Sequence, residues 1–173
     1  MDGTQIQKAK NIIAENLYMT ISVCSQDGKP WIANIYYAFD KDYNFYWYSP
    51  KTAVHSTYIR ENSEVALAIF DSRAVGDAVD AVYIKATAHE VVGKKELLTG
   101  LACYAKKLLA TKFVGKKADA LRFIKQYRDF QGMSALRMYK AVPEKFWKCA
   151  PTEMFNGKFV DSRIEVLLQV SDK

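Results

Sequence analysis

Between Ser49 and Ser56 the sequence "SPKTAVHS" gathers two serines, a lysine, a threonine and one of only two histidines at a strand-to-helix junction. Pro50 suits a first helical position. A helix start presents unpaired backbone N–H groups and the positive end of the helix dipole. Ser49, Thr52 and Ser56 are spaced by three and four residues, with His55 on the flank and Lys51 nearby, so their donors would converge on one anion. A phosphate suits such a surface. Read locally, Ser49 or Thr52 as a plain N-cap accounts for the same residues without a ligand. His55 and Ser56 are adjacent and do not face each other on a helix, so they form no nucleophile–base pair.

Other chemistries lack their residues. There is no P-loop, no GxGxxG after a strand, no HExxH and no nucleophile elbow. His55 and His89 fall in different elements with no Cys or carboxylate at ligand spacing, so no metal site is expected. His89, in "ATAHEV", reads as a half-buried strand histidine. Cys24, Cys103 and Cys149 are widely spaced and free of any CxxC, which predicts buried thiols rather than a disulfide framework or a zinc site.

The elements that must position the junction follow from periodicity. Thr4 and Gln7 form a capping-box pattern ahead of Ile6, Ala9, Ile12, Ile13 and Leu17, which predicts an N-terminal helix. "MTISVCS" and "PWIANIYYAFD" flank Asp27-Gly28 as a hairpin, with Pro30 at a strand start. "FYWYS", "EVALAIFDS" and "AVYIKATAHEVV" continue as strands, and a short helix after Pro50 interrupts them. Leu97, Leu98, Leu101, Tyr104, Ala105, Leu108 and Leu109 predict a second long helix, and Leu121, Ile124 and Tyr127 a third after Gly115. "SALRMYKAV" and "EKFWKCA" read as strands meeting at Pro143, and "RIEVLLQV" closes the chain. The tight turns point to an antiparallel meander or barrel: an α+β fold with a split β-barrel of about six to eight strands, an N-terminal helix and peripheral helices.

The 173 residues show no Pro/Gly/Ser-rich linker, so residues 1–173 are read as a single domain. No apolar run approaches the roughly 20 residues of a membrane span, and the start lacks a signal-peptide layout, so a cytoplasmic protein is expected. Ten Lys/Arg stand against Glu96 and Asp119 between Lys94 and Arg128, within a net charge of +6. These read as solvated helix faces. A non-enzymatic module docking an acidic partner through helices 94–128 is the other reading, and the lack of interleaved aromatics argues against nucleic acid.

The order of "DGKPWIANIYYAFDKDYNFYWYSPKTAVHSTYIRENSEVALAIFDS", "AVYIKATAHEV" and "LRMYKAVPEKFWK" resembles the pyridoxamine 5'-phosphate oxidase-like family of FMN-binding split barrels. The resemblance implies a homodimeric flavoprotein with FMN at the subunit interface, transferring two electrons to or from a small organic substrate. It implies that Ser49, Thr52, His55 and Ser56 cradle the flavin phosphate, with Lys51 as a supporting charge. Ala33, Asn34, Ile35 and Tyr36 would line the ring, Tyr48 would be a further cofactor-binding residue, and Trp147 or Arg163 would come from the other chain. Many relatives carry lysine or arginine where His55 stands. Arginine-rich substrate motifs have no clear counterpart, so no catalytic acid or base is nominated. Within the fold, a deazaflavin- or haem-using relative is the alternative, with His89 the residue for haem.

Overall fold

The computed structural model describes residues 3–111, 119, 122, 124–150, 153–155, 158–160 and 162–168. Helix α1 (Gly3–Glu15) is followed by strands β1 (Tyr18–Cys24), β2 (Pro30–Tyr36), β3 (Ala38–Phe39) and β4 (Phe45–Pro50). Helix α2 (Val54–Glu61), β5 (Glu64–Phe70), β6 (Ala81–Glu90) and helix α3 (Lys94–Ala110) come next. Strands β7 (Leu136–Cys149), β8 (Glu153–Phe155), β9 (Lys158–Val160) and β10 (Arg163–Val166) complete the described chain.

Eight strands form one antiparallel sheet in the order β2-β1-β5-β6-β7-β4-β3, with β10 also on β7, while β8 and β9 pair separately. The fold is the expected α+β split barrel. Its curl depends on β7, a single strand where two were expected. The register with β6 slips between Lys85 and Ala86, whose partners are Lys145 and Pro143, leaving Glu144 as the extra residue of a bulge. The bend lets the first half of β7 pair with β4 and its end pair with β10. Proline is tolerated there because a bulge needs no regular ladder N–H.

Trp47, Tyr37, Tyr46, Tyr139 and Phe45 are the largest fully buried side chains and fill the half-barrel. Tyr37 splits the expected second strand into β2 and β3; its ring turns inward and its hydroxyl donates to the Ile13 carbonyl at 2.6 Å, tying α1 to the sheet. Helix α3 lies close on β4 because Gly100 has no side chain: a Cβ there would meet Tyr46 Cδ1 at 2.8 Å.

Several expectations need correction. Pro50 is the last residue of β4, not the first of a helix, and α2 begins at Val54 with Ala53 as its N-cap and no side-chain capping bond. The reason is local. Lys51 N–H is held by the Ala135 carbonyl and Ala53 N–H by the Pro50 carbonyl, so the chain makes a turn before it can wind into a helix. Neither Ser49 nor Thr52 is the cap. Thr4 lies inside α1, and Leu17 lies past its end, 39% exposed. The three cysteines are free but only half-buried. Of the expected third helix, Gly115 and Leu121 lie outside the described residues; Ile124 packs on the core and Tyr127 starts a 3-10 turn. In the closing segment Val166 and Leu168 are buried, and Val170 lies outside the described residues.

Candidate functional site

Hairpin register builds the first wall. Counting outward from the Asp27-Gly28 turn pairs Tyr18 with Tyr36 and Thr20 with Asn34. Thr20 Oγ1 donates to Asn34 Oδ1 at 2.8 Å, which leaves the Asn34 amide nitrogen free to donate outward. Strand β4 supplies Tyr48 on one face and Ser49 on the other, as strand alternation requires. Helix α3 then brings Tyr104 and Leu108 over β2, one and two turns beyond Gly100.

These residues enclose a cleft of about 270 Å³ lined by Tyr18, Asn34, Ile35, Tyr36, Tyr48, Ser49, His55, Tyr104 and Leu108. All four tyrosines are linked by ring contacts: Tyr48–Tyr104 at 5.3 Å and Tyr36–Tyr104 at 5.7 Å between centroids. Tyr18 meets Tyr36 edge-on at 5.8 Å. The Tyr104 hydroxyl donates to the Tyr36 carbonyl, and burial pushes its pKa far up, so it stays a neutral donor.

At the other end His55 Nε2 lies 2.9 Å from Ser49 Oγ. Burial lowers the His55 pKa, so the imidazole is neutral at pH 7. The turn that carries it is fixed from behind. Arg60 Nη2 donates to the Lys51 carbonyl at 2.9 Å and to Thr57 Oγ1 at 3.2 Å. Arg60 Nη1 lies 3.8 Å from Glu90, whose other oxygen takes Arg137 Nε at 2.9 Å. Arg137 in turn donates to the carbonyls of Gly132, Ser134 and Leu136, beside the Ala135 carbonyl that holds Lys51. One ion-pair network thus braces both segments.

The structure therefore brings together Asn34, Ile35, Tyr36, Tyr48, Ser49 and His55 of the residues singled out in the sequence. Ala33 sits in β2 beside them but outside the lining. Lys51 and Thr52 lie on the turn, half-exposed and exposed, and outside the cleft. Ser56 is fully buried beneath the turn beside the Tyr139 phenol, without a hydrogen bond of ordinary geometry. Trp147 lines a separate apolar hollow of about 240 Å³ with Thr20, Ser22, Ala66, Ala68 and Tyr83. Arg163 stacks 4.6 Å over the Tyr83 ring next to it. His89 is outside the cleft, 3.6 Å from Glu96. Tyr18, Tyr104 and Leu108 were not anticipated. The hairpin register could have found Tyr18; for Tyr104 and Leu108 the sequence shows only core spacing.

The curled antiparallel half-barrel, with its cleft between the second strand and the turn after the fourth, defines the split-barrel class. The family model described as pyridoxamine 5'-phosphate oxidase matches residues 6–138, and the chain belongs to this family. Among solved structures it is similar to a protein of unknown function from Agrobacterium tumefaciens, at TM-score 0.63 and 11% identity over 85% of this chain and 57% of that one. The chain thus spans little more than half of that relative. It is also similar to HutZ, the haem storage protein from Vibrio cholerae, at TM-score 0.60 and 12% identity, covering 80% of this chain and 89% of that one. An F420 reductase superposes at TM-score 0.51 and 14% identity, covering 84% and 97%. At such identities the likeness is one of fold. No curated protein sequence matches the chain.

Proposed function

We propose that this protein is an FMN-binding oxidoreductase that exchanges two electrons with a small organic substrate. The observation that carries this reading is the cleft itself: a tyrosine-lined wall with an outward amide donor at Asn34 and, at its far end, the Ser49–His55 pair. A flavin ring needs a flat apolar wall with a few donors, and its phosphate needs donors one element away. When bound, FMN supplies the hydride and electron chemistry. The protein's part is to hold the ring against β2, to offer the Asn34 amide and the His55 imidazole as donors, and to keep water off the ring with Tyr104 and Leu108.

The cleft is just below the roughly 300–1,000 Å³ of typical ligand pockets, so one protomer covers only part of a flavin. A second copy supplies the rest. Asn34, Thr20, Ala68, Tyr83 and Trp147 form one cross-strand row over β2, β1, β5, β6 and β7. Four strand spacings put Trp147 roughly 19 Å along the sheet from Asn34, too far to share a ligand within the chain. Small residues between them, Thr20, Ser22, Ala66 and Ala68, leave a shallow apolar face on which a two-fold partner would bring its own Trp147 and Arg163 toward Asn34.

Haem fits the geometry less well. It needs an axial ligand, and His89, the residue expected for it, lies outside the cleft beside Glu96. A deazaflavin shares the ring shape and is the alternative within this reading. Absorption and fluorescence titrations with FMN, riboflavin, a deazaflavin and haem separate them. Quenched FMN fluorescence with saturable binding is the expected result, and absence of flavin binding at high micromolar concentration overturns the proposal. Among the described residues no helix is long and apolar enough to cross a membrane.

A further inference from the structure

One hydrogen bond decides which way the amide at the cleft wall points. Thr20 of β1 and Asn34 of β2 are direct cross-strand partners. Strand alternation puts both on the outer face of the sheet, with the next residues, Ile21 and Ile35, buried in the core. Opposite residues on one face stand about 4.5–5.5 Å apart at Cβ, close enough for a hydroxyl to reach a carboxamide. Thr20 Oγ1 donates to Asn34 Oδ1 at 2.8 Å. On its other flank Thr20 faces Ala68, whose side chain offers no partner, so the hydroxyl is committed to Asn34.

A carboxamide has an acceptor end and a donor end. With Oδ1 held by Thr20, the donor end is left for the cleft that Asn34 lines. Asn34 is exposed, and among the described residues no other side chain bonds its amide. An isoalloxazine offers carbonyl oxygens and ring nitrogens that accept, and a single N3–H that donates. Which of these meets β2 follows from the end of the amide that faces outward.

We propose that Thr20 is a positioning residue of the flavin site, an inference that rests on the flavin reading above: its hydroxyl fixes Asn34 as a donor, and the ring meets β2 by an acceptor edge rather than by its N3–H. In the free protein water satisfies any end of the amide left unpaired. Under a bound ring that water is excluded, and the bond from Thr20 is what keeps Oδ1 satisfied. Thr20 lies outside the cleft lining and acts through Asn34.

The test is a set of fluorescence titrations with riboflavin and FMN. Thr20→Val keeps the β-branched shape and removes the hydroxyl. It is expected to weaken both flavins equally, by about tenfold, because the contact is with the ring they share. Thr20→Ser keeps the donor and should restore wild-type affinity. In an Asn34→Ala background Thr20→Val should cost nothing further, the mark of a residue that acts through its neighbour. Thr20 also borders the hollow of Trp147, where the proposed partner copy would sit, and a loss arising from subunit association would survive Asn34→Ala. Asn34→Asp carries only acceptors at neutral pH and should bind riboflavin more weakly than Asn34→Ala. Unchanged affinity in Thr20→Val, a loss that persists in the Asn34→Ala background, or an Asn34→Asp that outbinds Asn34→Ala overturns this proposal and leaves the flavin reading standing. A wild-type protein that binds no flavin overturns both together.

Discussion

His55 Nε2 and Ser49 Oγ, 2.9 Å apart, join the first turn of α2 to the penultimate residue of β4 at one end of the cleft. A neutral imidazole there gives the proposed phosphate end a definite pH signature. Burial holds the His55 pKa below 6.5 in the free protein, and a bound phosphate dianion favours the imidazolium, so binding raises the pKa and takes up a proton. FMN affinity is therefore expected to strengthen as pH falls from about 8 to about 6.5, before the phosphate itself protonates near pH 6. Riboflavin affinity should stay flat across the same range. Fluorescence titrations at several pH values check this, and parallel curves for both ligands contradict it.

Replacing His55 with Gln removes the titrating group but keeps a polar side chain. FMN affinity is expected to fall by about tenfold, the worth of one hydrogen bond to a charged group at about 1.5 kcal/mol, with the pH dependence abolished. Ser56→Ala should change flavin affinity little, because Ser56 is fully buried under the turn.

The apo protein should gain stability as pH rises. The folded-state pKa of both His55 and Lys107 is depressed, so the unfolded chain binds more protons between the folded and unfolded values. For Lys107 that window runs from about 7 to the ordinary lysine value of 10.5. The melting temperature is expected to climb between pH 7 and pH 9, and Lys107→Met should flatten the climb. A wild-type melting temperature that falls over this range would show that the Tyr37 face and the Asn16 carbonyl, both in contact with the Lys107 amine, hold the ammonium more strongly than burial opposes it.

Arg137 is buried enough to matter to the fold: its side chain is 13% exposed and paired with Glu90, which is 26% exposed. Arg137→Met is expected to cost about 2–3 kcal/mol in a denaturant melt, since it leaves Glu90 with only the longer Arg60 contact. Arg60 is more exposed and acts on position. Arg60→Ala should cost little stability while weakening FMN more than riboflavin, because the Lys51 carbonyl loses its anchor.

Gly100→Val tests how α3 covers the cleft. Its side chain would push on the buried Tyr46 ring, and overpacking of this kind costs about 1–3 kcal/mol. If α3 moves to relieve the clash, Tyr104 and Leu108 move with it, and near-ultraviolet circular dichroism from the tyrosine cluster should change together with the melt.

The barrel was legible because each strand carried its own pattern and each turn its own chemistry, as Asp27-Gly28 shows for the β1–β2 hairpin. The cleft was half legible. Asn34, Tyr36 and Tyr48 came through the resemblance and Ser49 through its place at the end of a strand, but Pro50 misled, since its fixed φ suits the end of a strand as well as the start of a helix. Of the two backbone hydrogen bonds that delay α2 to Val54, the one that holds Lys51 N–H comes from Ala135, more than 80 residues away in the chain, and no local pattern encodes it. Burial of Ser56 and the reach of Tyr104 from α3 to the Tyr36 carbonyl of β2 are likewise tertiary facts.

The proposed placement of the flavin ring on β2, with its phosphate at the Ser49–His55 pair, is tested by a crystal structure of the protein grown with FMN. The ring is expected against Asn34, Ile35 and Tyr36, the phosphate within hydrogen-bonding distance of His55 Nε2, and Trp147 or Arg163 of a two-fold partner across the ring. An FMN found elsewhere on the molecule, or bound in this cleft with its phosphate directed away from His55, would contradict it.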